Sequence, residues 1–302
     1  MTVWLAAARP KTLGASLCPV LMGATLARVD GAFSWPPVLA ALSGAVLLQV
    51  ASNFANDLFD GLRGTDGADR VGPRRAVGSG LVTPRAMATA LVATLALAAI
   101  PAAWLSMHSG PAFAAIAAVG AICAVGYTAP PLSLAYRGLG DLFVFAFFGP
   151  LAVAGTRAAC DGAWTLPAFA CGLAPGAIGV CLLATNNLRD EAGDRAAGKR
   201  TLVVRFGAPF VRRLVGGCTL VAIAVPVVAS FAFALPKGIM LASLAAAMLG
   251  GLGGLGDAGL SSRRASHAGL PLFSFRLAVF GILLYVYGLA FAGGSFLDWS
   301  VG

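Results

Sequence analysis

Nine apolar runs alternate with short polar stretches along this chain, and each is long enough, or nearly so, to cross a bilayer as a helix. The pattern predicts spans over about Thr12 to Ala27, Pro37 to Asp57, Ala86 to Ser106, Pro111 to Tyr127, Leu139 to Thr156, Pro167 to Thr185, Val211 to Phe233, Gly238 to Leu255 and Arg276 to Phe291. Several are short and rich in Gly, Ala and Pro, which permits close helix packing and kinks. Thr83-Pro84 reads as an N-cap followed by a first-turn proline at the start of the third span. The expected fold is all-α: one polytopic membrane domain over residues 1–302.

The polar positions in the second run are ordered. On a helix of about 3.6 residues per turn, Gln49, Asn53, Asp57 and Asp60 share a narrow stripe with Asn56 beside it, so one face turns from apolar to anionic. Carboxylates this close repel, and ionisable groups at a membrane edge are rare unless paired, solvated in a cavity or functional. A divalent cation with several oxygen ligands accounts for them most simply. Asn186, Asn187, Asp190 and Asp194 repeat the arrangement at the end of another run, and are expected on one helical face. Two such clusters would hold Mg²⁺, which commonly joins carboxylates to substrate phosphates while keeping several waters.

Composition removes the soluble alternatives: 59% hydrophobic and 11% charged residues exceed the apolar content of a soluble domain. Arg9 and Lys11 precede the first long run, and Met1 to Ala8 is too short for a span, so no cleavable signal peptide is expected. The six cysteines sit singly, without C-x-x-C spacing, and read as small core residues; His108 and His267 lack ligand spacing. A net charge of +9 would suit nucleic acid, but the basic residues lie in loops interleaved with the acidic clusters, which fits a small phosphorylated substrate better and excludes a polynucleotide. Of the 21 Lys and Arg, all but Arg28, Arg157 and Lys237 fall on the side of the N-terminus and the two acidic stretches, so both stretches are expected in the cytoplasm and the C-terminus outside.

The cytoplasmic loops add basic groups. Asp66, Asp69, Arg70, Arg74 and Arg75 lie among glycines, whose backbone lets N–H groups approach a phosphate while arginines offer forked donors. Pro130 and Pro131 break the fourth span and deliver Tyr136 and Arg137 to the same face, and Asp141 opens the next span at the edge of the site. The stretch after the second cluster supplies Lys199 and Arg200.

Asn56-Asp57-x-x-Asp60 paired with Asn187-x-x-Asp190-x-x-x-Asp194, each closing an apolar run, resembles the UbiA superfamily of intramembrane prenyltransferases. The segments Ala8 to Leu13, Gly64-x-Asp66, Gly72-Pro-x-Arg75, Asn186 to Asp190 and Gly198 to Leu202 are similar to its branch acting on 1,4-dihydroxy-2-naphthoate in menaquinone synthesis. The likeness runs from about Ala8 to Gly207. It implies that Asn56, Asp57, Asp60, Asn187, Asp190 and Asp194 hold Mg²⁺ on the diphosphate of a polyprenyl donor. Asn53, Arg70, Arg75, Arg137, Lys199 and Arg200 are the implied diphosphate contacts, and membrane lipid surrounds the isoprenoid groove. Two positions depart from the pattern. Gly64 stands where the superfamily has a third aspartate, with Asp66 as its substitute, and Asp141 stands where the branch often has Glu. Arg9, Lys11 and Asp66 are the candidates to orient the acceptor.

Two rival readings predict different arrangements. A secondary transporter would carry its ionisable groups near the bilayer midplane, not at helix ends amid basic loops. A prenyltransferase for hydroxybenzoate or homogentisate would keep the acidic stretches but not the Gly-Pro-x-Arg and Lys-Arg-Thr-Leu segments.

Overall fold

The computed structural model describes residues 2–65, 75–254 and 270–297, and every regular element among them is helical. The order is α1 (Thr2–Ala8), α2 (Gly14–Val29), α3 (Trp35–Leu62), α4 (Pro84–Ser109), α5 (Ala112–Gly126), α6 (Gly140–Phe147), α7 (Pro150–Ala159), α8 (Leu166–Arg189), α9 (Glu191–Ala196), α10 (Leu202–Ala232), α11 (Leu241–Gly254) and α12 (Leu270–Leu297). Among the described residues, six segments are long and apolar enough to cross a membrane: α3, α4, Gly140–Ala159, α8, α10 and Phe275–Leu297. Shorter apolar helices cover Gly14–Val29, Ala112–Gly126 and Lys237–Gly250. The protein is therefore a multi-pass integral membrane protein.

Local sequence sets the ends and breaks of these helices. Thr83 caps α4 as expected, its hydroxyl accepting from the Ala86 N–H at 3.3 Å. The span expected over Leu139 to Thr156 is broken into α6 and α7 at Gly149, because Pro150 disfavours helical geometry in the residue before it. The break is packed tightly on α8: a Cβ on Gly149 would lie 2.6 Å from the Gly172 carbonyl oxygen, and one on Gly172 2.5 Å from Pro150 Cα. Similarly, α10 begins nine residues before the expected start, at Leu202, and carries a left-handed break at Gly207 (φ 79°) ahead of Pro209.

The largest core cluster gathers Met22, Val153, Ile178, Val211, Phe280, Leu283, Tyr287 and Phe291 from α2, α7, α8, α10 and α12. A second, on α3 and α4, packs Phe54 and Leu58 against Met87 and Leu91. At the end of the bundle away from the acidic stretches, Arg157 is buried. Its guanidinium donates to Asp30 at 2.6 Å and to Asp161, joining the C-terminal end of α2 to that of α7. All six cysteines are free thiols in or beside the core.

Candidate active site

Helix α3 runs on to Leu62, so its polar stripe stays helical throughout. Gln49, Asn53, Asp57 and Asp60 are all buried, and Asn56 is half-buried beside them. Burial this complete requires partners for each polar atom. Asp60 has one for each oxygen: the Tyr136 hydroxyl donates to Oδ1 at 2.8 Å and the Lys199 ammonium to Oδ2 at 3.0 Å. Lys199 Nζ also lies 3.8 Å from Asp194 Oδ1, so one cation sits between a carboxylate of α3 and one of α9.

Two loops bring those partners in. After α5, the Pro130-Pro131 turn carries Tyr136 back over α3, where Arg63 Cζ lies 4.1 Å from the ring centroid. After α9, Gly198 adopts a positive φ of 72° and turns the chain so that the Lys199 N–H donates to the Asp194 carbonyl at 2.8 Å and that of Arg200 to the Tyr136 carbonyl at 3.1 Å. Burial alone would lower the Lys199 pKa, but the charges of Asp60 and Asp194 outweigh it and raise the value. Burial and the Asp60 charge also push the Tyr136 phenol up. At neutral pH the pair is an ammonium and a neutral phenol, both donating.

The other predicted residues divide. Asp57 spends its two oxygens on the turn that follows the first loop, accepting from the N–H groups of Ala76 at 3.0 Å and Val77 at 2.8 Å. Asn56 Oδ1 accepts from the Thr128 hydroxyl. Asn53 donates to the Ala8 carbonyl at 3.0 Å, and Gln49 to the Thr12 carbonyl at 2.7 Å, which ties the N-terminal segment across α3. The second stretch is not one helical face: α8 ends at Arg189, Asp190 stands at the junction without capping α9 through its side chain, and Asp194 belongs to that short helix. Asp190 is paired with its neighbour, Arg189 donating from Nε at 2.7 Å and from Nη2 at 2.6 Å. Asn187 is half-buried on the last turn of α8, and Arg75 half-buried where the turn before α4 begins. Arg137 and Arg200 are exposed, with Arg137 donating to the Pro131 carbonyl at 2.8 Å, away from Asp60. Asp141 is buried in the first turn of α6, and its Oδ1 has no hydrogen-bond partner among the described residues. Asp66 and Arg70 lie outside the described residues. Tyr136 reaches the face to which the Pro130-Pro131 break is expected to deliver it, while Arg63 and Thr128 are contacts around the acidic stripe that the sequence pattern does not single out.

A cavity of about 330 Å³ opens beside this cluster. Its polar end is lined by Gln49, Asn53, Asn56, Tyr127 and Asn186; from there it passes Gly44 and Leu48 to Ala40, Leu105 and Phe113. Ala40 and Asn56 are 16 positions apart on α3, so the cavity extends about 24 Å along the helix. Its lining is carbon-rich once past the amides, as an isoprenoid chain requires.

Among the described residues, no three Asp, Glu, His or Cys side chains converge on one point. Mg²⁺ is typically held by one or two carboxylates plus substrate phosphates, and Asp60 and Asp194 offer two carboxylates within reach of one cation. The position between Asp60 and Asp194 already accommodates a cation, and oxygen donors of this hardness fit that ion.

Comparison with known proteins gives the same answer from the chain as a whole. The model of the UbiA prenyltransferase family matches residues 16–267. A 1,4-dihydroxy-2-naphthoate octaprenyltransferase of Mycobacterium tuberculosis is 44% identical over 224 residues, covering 72% of this chain and 75% of that protein. The fold is similar to the apo structure of a UbiA homologue from Aeropyrum pernix K1, with a TM-score of 0.68 and 17% identity over 93% of this chain and 97% of the other. It is also similar to a UbiA homologue from Archaeoglobus fulgidus bound to DMAPP and Mg²⁺, with a TM-score of 0.59 and 16% identity over 94% and 98% of the two chains. A helical bundle with paired acidic stretches at one end, a family match over most of the chain and a close relative of nearly the same extent lead to one conclusion: this chain belongs to the UbiA prenyltransferase family.

Proposed function

We propose that the protein transfers a polyprenyl chain from polyprenyl diphosphate to 1,4-dihydroxy-2-naphthoate, with loss of CO₂ and diphosphate, giving demethylmenaquinol. The observation that carries this reading is the meeting of Asp60 and Asp194 around one cation, about one turn of α3 beyond Asn56, which lines the polar end of an apolar cavity extending about 24 Å. The acceptor follows from the relatives, named for transfer to that naphthoate.

Asp60, Asp190 and Asp194, with the amides of Asn56 and Asn187, would hold Mg²⁺, and Asp57 retains a second lone pair on each oxygen for the same purpose. Bound there, the ion supplies Lewis-acid stabilisation of the departing diphosphate. Lys199 and Arg75 neutralise charge as the allylic C–O bond breaks and its electron pair leaves with the diphosphate, with Arg70, which lies outside the described residues, assigned to the same task by the resemblance alone. Arg137 and Arg200 are exposed at the rim, where they attract the anion. Asp66, also outside the described residues, is assigned by the resemblance as substitute for the aspartate missing at Gly64. The naphthalenediol ring then attacks the allylic carbon and the acceptor's carboxylate leaves as CO₂. The helix bundle keeps water from the allylic cation, which water would otherwise capture.

The six long and three shorter apolar helices support nine crossings of the cytoplasmic membrane, and the distribution of Lys and Arg supports a cytoplasmic site, within a single domain over residues 1–302. The test is product analysis by mass spectrometry, using membranes that contain the protein, Mg²⁺, a polyprenyl diphosphate and the naphthoate. The prenylated, decarboxylated diol should appear and vanish with a chelator. Product only with a different aromatic acid refutes the acceptor, and no transfer to any acceptor by folded protein refutes the activity.

A further inference from the structure

Lys199 is held too well for a general phosphate-binding lysine on a mobile loop. Its ammonium reaches Asp60 at 3.0 Å and Asp194 at 3.8 Å, and all three side chains are largely buried, with exposures of 15%, 4% and 13%. Its backbone is anchored on both sides: its own N–H bonds the Asp194 carbonyl, and the next N–H bonds the Tyr136 carbonyl. The Tyr136 hydroxyl takes the other oxygen of Asp60, and the Tyr136 ring lies 5.1 Å from the ammonium. Without metal, α3 and α9 are joined by a charge the chain carries itself.

That position cannot be shared. A divalent ion on Asp60 and Asp194 takes the oxygens that Lys199 now holds, and two cations within a few ångströms repel strongly where water is scarce. The flexible four-carbon stem of lysine lets the ammonium leave without moving the backbone, provided that another anion is in reach. A diphosphate entering with the metal is such an anion. Resting on the transferase reading above, we propose that Lys199 is a tethered counter-ion: it occupies the cation position in the metal-free protein and moves onto the diphosphate as metal and donor enter. Metal alone then competes with Lys199, whereas metal with diphosphate gives the displaced ammonium a partner, so the two ligands strengthen each other's binding reciprocally. The site is thereby kept from filling with metal before the donor arrives.

The test is Mn²⁺ titration followed by electron paramagnetic resonance on full-length protein in lipid nanodiscs, with and without pyrophosphate. In the wild type, saturating pyrophosphate should tighten Mn²⁺ binding by about tenfold or more. Lys199→Met, close in shape but uncharged, should tighten binding of Mn²⁺ alone by about tenfold and lose most of the gain from pyrophosphate. Lys199→Arg, which keeps the charge, should keep Mn²⁺ alone weak. Unchanged or weaker binding of Mn²⁺ alone by Lys199→Met overturns the proposal. If that variant does not fold, a change of less than twofold between the two wild-type titrations overturns it equally. No Mn²⁺ binding by wild-type protein under either condition removes the metal–diphosphate site itself, and with it the transferase reading on which the proposal rests.

Discussion

Asp57→Ala separates two roles for a residue whose carboxylate is already occupied in the absence of metal. Both oxygens accept backbone N–H groups, from Ala76 and Val77, and the residue is only 2% exposed. The turn sits close on α3 at this point: a Cβ on Gly61 would lie 2.7 Å from a Val77 methyl. Hydrogen bonds to a charged acceptor contribute about 1.5–3 kcal/mol each, so losing both weakens the clamp by about 3 kcal/mol even if they act far from additively. The free energy for opening the turn falls by that amount, and exchange of the two amides should accelerate about 100-fold. Hydrogen–deuterium exchange resolved to single amides, in metal-free protein without substrate, measures this directly. Asp57→Asn should give an intermediate acceleration, since it keeps one acceptor oxygen but turns an amide N–H₂ toward a backbone donor. Unchanged exchange at Ala76 and Val77 in Asp57→Ala would refute the clamp and return Asp57 to metal binding alone.

Further outcomes follow from the same geometry. Removing both Asp30 and Asp161 leaves the buried guanidinium of Arg157 uncompensated and should cost about 3–5 kcal/mol in denaturant melts, more than Arg157→Met, whose stranded carboxylates are over a third exposed and hydrate. Burial alone would raise the Asp161 pKa, but the Arg157 guanidinium and the Ala163 N–H lower it. Its contribution is therefore present above the ordinary carboxylate range and lost as pH falls through the lowered value; the melting-temperature gap between wild type and Asp161→Asn should close as the pH is taken below the ordinary carboxylate range. Gly44 lines the cavity 12 positions before Asn56, with its nearest neighbour, Pro101 Cγ, 3.8 Å from a built Cβ, so Gly44→Leu should fold normally while shortening the longest prenyl donor turned over, read by mass spectrometry of the products. Gly172→Ala drives a methyl against the backbone at Pro150 and should cost about 1–3 kcal/mol of stability, with Gly44→Ala as the neutral control in the same thermal melt.

The acidic stripe of α3 was legible because helical periodicity is local: Gln49, Asn53, Asp57 and Asp60 needed only the rise of one helix to align. The helix ends were legible where a side chain acts within one turn, as at Thr83. What the pattern did not contain were meetings across the chain. Tyr136 reaches Asp60 over 76 positions and Lys199 over 139, and no spacing rule encodes a loop returning to a helix. The break between α8 and α9 escaped because apolar periodicity runs out just where Asp190 stands at the junction. The break at Gly149 escaped because hydropathy continues across Pro150, and the small residues that let it pack closely, Gly172 and Gly176, lie in the next helix.

The attachment of the first residues to α3 also bears on how the molecule is made. Ala8 and Thr12 present their carbonyls to Asn53 and Gln49, and Arg9 between them takes a left-handed backbone conformation (φ 53°) to make the turn. The segment before α2 thus has docking partners 37 and 45 positions downstream, and since synthesis runs from the N-terminal side it must wait at the membrane surface until α3 has been inserted. Removing Ala8 and Arg9 would strip the acceptor from the buried Asn53 amide that lines the cavity, so this segment closes the polar end of the site from a distance along the chain.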